Sequence, residues 1–129
     1  MGTRCQVIIR DKYKDALWFY RHLDGYPEGA LPTLKTFMGL IKEGKIRDNV
    51  EQAAGWLVLL GAQEYGVSVK KCGLDPMMGW KCGAYEPCMP QEHGDIEFLY
   101  TLDLEELTIT VADTYKKTGY TLWMRDCTE

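Results

Sequence analysis

Residues 3–10, TRCQVIIR, alternate between two faces. Cys5, Val7 and Ile9 point one way and Gln6, Ile8 and Arg10 the other, which predicts a strand with one well-marked apolar face. A polar turn, DKYKD, leads into ALWFYRH at 16–22, an aromatic-rich strand expected to pair with the first as a hairpin. Leu17 and Phe19 share one of its faces; Trp18, Tyr20 and His22 share the other. The period then changes. In LPTLKTFMGLIKEG, residues 31–44, Leu34, Phe37, Met38 and Ile41 follow helical spacing, with Pro32 in the first turn and Gly44 as the stop. In DNVEQAAGWLVLLG, residues 48–61, Asp48 and Glu51 have the spacing of a capping box. Val50, Ala53, Ala54, Leu57 and Leu60 form the apolar stripe of this second helix. The short link around Lys45 predicts a helical hairpin.

Residues 61–95 break the pattern. They contain most of the cysteines, two adjacent methionines and several prolines and glycines, and only YGVSVK at 65–70 reads as a strand. So long an irregular stretch is uncommon in a compact domain unless it is functional, metal-stapled or mobile. Alternation returns in DIEFLYTLDL (95–104), ELTITVAD (106–113) and YKKTGYTLWMRD (115–126), the last with a turn placed at Thr118-Gly119.

Strands that cluster in hairpins rather than alternating with helices predict an α+β fold. The expected architecture is a single domain over 1–129, with a mostly antiparallel sheet of about five strands and the two-helix hairpin on one face. The helices would cover Val7, Ile9, Leu17, Phe19, Phe98, Ile109 and Leu122. The opposite face would carry Ile8, Trp18, Tyr20, Leu99 and Trp123 among threonines. Left bare, that face is a large apolar patch, so either the 61–95 segment or a partner is expected to cover it.

Composition narrows the classes. A chain of 129 residues with 46% hydrophobic and 26% charged side chains suits one soluble domain with a real core. No apolar run approaches the ~20 residues of a membrane span. MGTRCQVIIR becomes charged too soon for a signal peptide, and Gln6 stands where a myristoylation motif needs Ser or Thr. The expected location is therefore cytoplasmic, with no membrane partner. A net charge of −4 argues against a nucleic-acid binder. Five cysteines, an odd number, argue against a disulfide framework.

Two stretches could carry chemistry. In YRHLDGYPEG, residues 20–29, His22 could serve as a general base and Asp24 could orient it, as in a small hydrolase. The stretch reads first as a turn, however. Asp24 would bond local backbone, Gly25 would take a positive φ, Tyr26 would pack and Pro27 would fix the approach to the helix. The second stretch offers Cys72, Cys82, Cys88 and His93, the right ligand types for zinc but without a tight C-x2-4-C knuckle. The competing reading has these thiols packing as small apolar side chains. No cofactor is expected beyond the zinc this segment could hold. Asp103, Glu105 and Glu106 read as a solvated turn. P-loop, G-x-G-x-x-G, H-E-x-x-H and G-x-S-x-G patterns are missing from the sequence.

Tyr20, His22, Asp24, Gly25, Tyr26 and Pro27 form the pattern Tyr-x-His-x-Asp-Gly-Tyr-Pro. It resembles a group of small uncharacterised proteins of phages, prophages and bacteria. The resemblance covers about the first quarter of the chain, excludes the Cys-containing segment, and implies a phage or mobile-element accessory protein without implying a mechanism. The leading expectation is thus an accessory protein that binds another protein, from host or phage, or a second copy of itself. Trp18, Tyr20, Tyr26 and Trp123 would be the binding residues, since interface hot spots favour Trp and Tyr. The alternatives are the hydrolase-like enzyme at His22 and Asp24, and a zinc-stabilised module.

Overall fold

The computed structural model describes residues 2–64, 68–70, 73–75 and 84–124. In chain order the elements are β1 (Cys5–Arg10), β2 (Ala16–Arg21), α1 (Pro27–Lys42), α2 (Val50–Glu64), β3 (Ser68–Lys70), β4 (Gly73–Asp75), β5 (Glu86–Cys88), β6 (Phe98–Asp103), β7 (Thr108–Asp113) and β8 (Thr118–Trp123). The main sheet has six strands in the order β5-β2-β1-β6-β7-β8, and β3 and β4 form a separate two-stranded ribbon.

The α+β class and the two-helix layer match the alternation and helical stripes. The sheet differs from the expected five antiparallel strands in two ways. It gains β5, three residues around Pro87 that are too short to show alternation. It is also mixed, because β6 lies parallel to β1 while every other pairing in this sheet is antiparallel. After both helices the chain first adds β5 beside β2 and then enters β6 beside β1 in the same direction as β1, a parallel pairing that needs a long connection. That places β1 at the centre, and its residues from Cys5 to Ile9 are buried on both faces. The helix-side core holds Val7, Ile9, Phe19, Tyr100, Leu102, Ile109 and Val111 from the sheet. Ala30, Leu34, Phe37, Met38, Val50, Ala53 and Leu57 come from the helices.

The helix boundaries shift for local reasons. α1 begins at Pro27, one turn before the expected start, after an extended Tyr26; Pro32 consequently lies inside the helix. Proline is favoured at a first helical position because its missing N–H would have had no partner there. Gly44 takes φ 78 and ends α1 as expected, with Gly44 N–H donating to Ile41 and Lys45 N–H to Leu40. α2 is not capped by an Asp48–Glu51 box. The Val50 N–H donates to the Asp11 carboxylate at 2.9 Å, reaching across from the β1–β2 turn.

The hairpin turns share one device. Asp11, Asp103 and Asp113 each accept two backbone N–H groups of their own turn through one carboxylate oxygen. A residue with positive φ then closes each turn: Lys14, Leu107 and Lys117. The acidic cluster at 103–106 is thus a turn anchored by Asp103. The last turn precedes Thr118-Gly119, which belong to β8 rather than to the turn.

Candidate functional site

The sheet face opposite the helices carries three rows, read from the register. The first runs Glu86, Tyr20, Gln6, Leu99, Ala112, Gly119; the second runs Cys88, Trp18, Ile8, Thr101, Thr110, Thr121; the third runs Ala16, Arg10, Asp103, Thr108, Trp123. At the β5 end the chain folds back over this face. Gln6, with 0% exposure, is the pin. Its Nε2 donates to the Gln91 carbonyl at 2.9 Å and to Cys88 Sγ at 3.5 Å, and its Oε1 accepts the His93 N–H at 2.9 Å. A buried primary amide costs little when its donors and acceptor are paired, and here they hold residues 88–93 against the sheet.

This fold-back brings the two candidate stretches together on Tyr20. His93 stacks on its ring at a centroid distance of 4.9 Å, and His22 approaches the same ring at 6.2 Å. Both histidines of the chain therefore meet one tyrosine. The Tyr20 hydroxyl donates to Asp95 at 3.3 Å, and Asp95 pairs with Arg4 at 3.4 Å. Partial burial, then the Asp95 charge, push the Tyr20 phenol above its ordinary range against the opposing pull of Arg4, so it stays a neutral donor.

Other predicted residues fall elsewhere. Asp24 is exposed at φ 55, and among the described residues no hydrogen bond joins it to His22. The left-handed residue is thus Asp24 and not Gly25. Gly25 is needed for closeness instead: its N–H donates to Thr3 at 2.8 Å, and a Cβ there would lie 2.8 Å from the Cys5 Cβ. Tyr26 leads into α1 and is half exposed; its carbonyl accepts the Gly29 and Ala30 N–H groups. Trp18 is half-buried beside Cys88, and Trp123 lies at the far edge with 43% exposure. Cys72 and Cys82 lie outside the described residues. Among the described residues, no group of three or more His, Cys, Asp or Glu side chains is placed to hold a metal ion.

A second polar cluster lies on the helix side, where alternation along β2 sets Arg21 beside Phe19. Arg21 is fully buried and forks onto the Glu64 carboxylate at the end of α2, with Nη1 to Oε1 at 2.9 Å and Nη2 to Oε2. Its Nε donates to the Leu23 carbonyl at 2.6 Å, and its guanidinium lies 5.0 Å from the Tyr85 ring centre. Thr33 completes the carboxylate's shell at 2.5 Å. Burial pushes the neighbouring Cys5 thiol up to about 12, which Arg21 only partly offsets, so this thiol is inert as a nucleophile near neutral pH. Tyr100 donates to the Gly25 carbonyl at 2.7 Å. This cluster ties loop 22–25 to both helices.

No protein-family model matches the chain, and neither a curated protein nor a solved structure matches it. Among the described residues no helix is long and apolar enough to cross a membrane. Cavities open on the surface among the described residues. One of about 560 Å³ runs along α1, lined by Pro32, Lys35, Gly39, Leu40 and Met124. One of about 180 Å³ lies between the Asp11 turn and the start of α2, beside Arg47. Neither includes His22, Asp24 or Tyr20 in its lining.

Proposed function

We propose that the protein acts by binding another protein through the sheet face opposite the helices. The observation that carries this reading is the composition of the face beyond the fold-back. Leu99, Thr101, Thr110, Ala112 and Thr121 make an uncharged floor, only partly buried or exposed, between Trp18 on β2 and Trp123 on β8. Four strand spacings separate those two strands, about 19 Å. A broad, charge-poor floor flanked by tryptophans suits a protein surface better than a small substrate, which needs a concave pocket. Tyr20, held by His93 and Asp95, sits beside this floor as a rigid aromatic contact. The resemblance of residues 20–27 to phage-associated proteins adds a setting, an accessory role in a phage or mobile element.

The test is a photo-crosslinking amino acid placed at Thr110, with Lys35 on α1 as the control position, in cells that make the protein. The reading expects one defined adduct from position 110 that is lost in Trp123→Ser and missing from position 35. Equal labelling at both positions, or an adduct untouched by Trp123→Ser, refutes it.

A further inference from the structure

The two edges of the six-stranded sheet differ. β5 is three residues long with Pro87 at its centre, both devices that discourage further pairing. β8 has six residues, TGYTLW, with no proline and no charge, and all but one of them are exposed. Its outward backbone groups follow from the ladder. Thr114 N–H donates to Glu97 and Met124 N–H to Leu107, each at 2.8 Å. Antiparallel pairs alternate between bonded and non-bonded. With the observed register, Thr108, Thr110 and Ala112 bond to β6, and Ile109, Val111 and Asp113 bond to β8. β8 therefore spends Thr118, Tyr120 and Leu122 on β7, and Gly119 and Thr121 turn N–H and C=O outward.

The helix layer also stops short of this edge. One helix-side row runs Phe19, Val7, Tyr100, Val111, Tyr120. Its first four members have at most 1% exposure, whereas Tyr120 has 48%. The row is a core layer left open at its last position.

We infer that β8 pairs antiparallel with β8 of a second copy, about a two-fold axis at Tyr120. Gly119 then exchanges both backbone bonds with the copy's Thr121, and Thr121 with the copy's Gly119. Tyr120 falls opposite the copy's Tyr120 in a non-bonded pair, where side chains approach most closely, and the two rings close the open row from both sides. Charge favours a copy as the occupant. Thr118 to Met124 carry no ionisable acid or base near neutral pH, so the two-fold sets no like charges against each other along the paired run. Lys117 comes opposite the copy's Trp123 rather than opposite a lysine. The edge is distinct from the face proposed above for another protein, and a two-fold extension of the sheet leaves that face open.

The experiment is the mass of the full chain in solution by light scattering from about 1 to 200 µM, with variants at the edge. The expected result is twice the 14.8 kDa chain mass at the upper concentrations. Thr121→Pro removes an outward N–H without touching the β7 ladder and is expected to give a monomer with unchanged circular dichroism. Tyr120→Lys is expected to weaken the dimer at least tenfold and serves if the proline variant does not fold. Tyr120→Cys, treated with an added mild oxidant that takes up the two electrons, is expected to form a disulfide between copies at position 120, located by peptide mapping. A monomer at every concentration, a dimer indifferent to both edge variants, or a dimer whose Tyr120→Cys does not link through position 120 overturns the proposal.

Discussion

Replacing Glu64 by Gln keeps the shape of the side chain and removes the charge that answers Arg21. Arg21 cannot shed its proton, and its side chain has 0% exposure, so the guanidinium stays buried while the Glu64 charge it forks onto is withdrawn. Breaking a buried pair from one side costs about 3–5 kcal/mol. Glu64 retains 25% side-chain exposure, so water relieves part of that cost, and the expected loss is about 2–3 kcal/mol. Urea unfolding at pH 7 reads it. With a slope of about 1.5 kcal/mol per molar, the midpoint falls by about 1.3–2 M. Arg21→Met alone should cost more, because it also removes the contact with Tyr85 and the bond to Leu23. The double variant Arg21→Met with Glu64→Leu should lose less than the two single losses added, since no charge is left buried. A Glu64→Gln loss under about 0.5 kcal/mol, or strict additivity in the double variant, refutes the account. The pH dependence has a definite sign. Burial pushes the Glu64 carboxyl up, but the bonds from Arg21 and Thr33 and the guanidinium charge outweigh it and hold it below 4.5. Its contribution is therefore present above that ordinary value and lost as pH falls through the folded one. Glu64→Gln should flatten this acid limb of the stability curve.

Three further outcomes are expected. Gly25→Ala puts a methyl 2.9 Å from the backbone N of Cys5 and the carbonyl of Thr3, neither of which can yield freely; a loss of about 1–3 kcal/mol should appear as a lower melting temperature, and an unchanged melt refutes the close approach. Asp11→Ala removes the cap on Val50 and two bonds inside the first turn, so stability should drop by about 1–2 kcal/mol and the Val50 amide should exchange faster, whereas exchange at the wild-type rate contradicts the cap. In the native protein at pH 8, Cys88 should react with a thiol reagent while Cys5 reacts only on unfolding. The raised Cys5 pKa also means that its contribution is whole below pH 9 and lost progressively as pH rises towards about 12, an alkaline limb that Cys5→Ala should reduce.

The elements whose register depends on near neighbours were legible. Alternation along 5–10, 16–21, 98–103 and 108–113 put Val7, Ile9, Phe19 and Ile109 in the core, and the stripe through Leu34, Phe37, Met38 and Ile41 located α1. Leu17, expected under the helices, is instead 38% exposed, at a point of β2 that β5, paired only with Trp18 to Tyr20, does not flank. Features that depend on distant chain were not. The parallel pairing of β1 with β6 leaves no local signature, because either neighbour of a buried central strand demands the same apolar residues. The cap on α2 comes from Asp11, 39 positions away, so the local Asp48–Glu51 spacing misled. At the site, alternation set Tyr20 on the correct face but could not bring in His93, which arrives through the bonds of Gln6. Arg21 carried a usable signal: the same alternation that puts Phe19 in the core puts an arginine there, and a buried arginine requires an acid. Glu64, the acid that meets it, stands at the end of α2, beyond the reach of any local pattern.

The stretch YRHLDGYPEG can now be divided by what each residue is used for. Arg21 holds the end of α2, and the Leu23 carbonyl accepts from that same arginine. Asp24 supplies a left-handed turn, and Gly25 lets the chain pass against Cys5 while its carbonyl receives Tyr100. Pro27 starts α1, and Gly29 leaves room for the Asp24 carbonyl, which a Cβ would strike. These are architectural uses, and they account for the motif without chemistry. His22 is the exception. It is half-buried, lies outside that framework and touches Tyr20 on the face that carries the proposed interface. On the interface proposed above, His22 and Tyr20 are the residues of this loop that reach the sheet face. Substituting His22 should alter recognition while leaving stability within about 0.5 kcal/mol of the wild type, as for a partly exposed position whose ring contact with Tyr20 is loose.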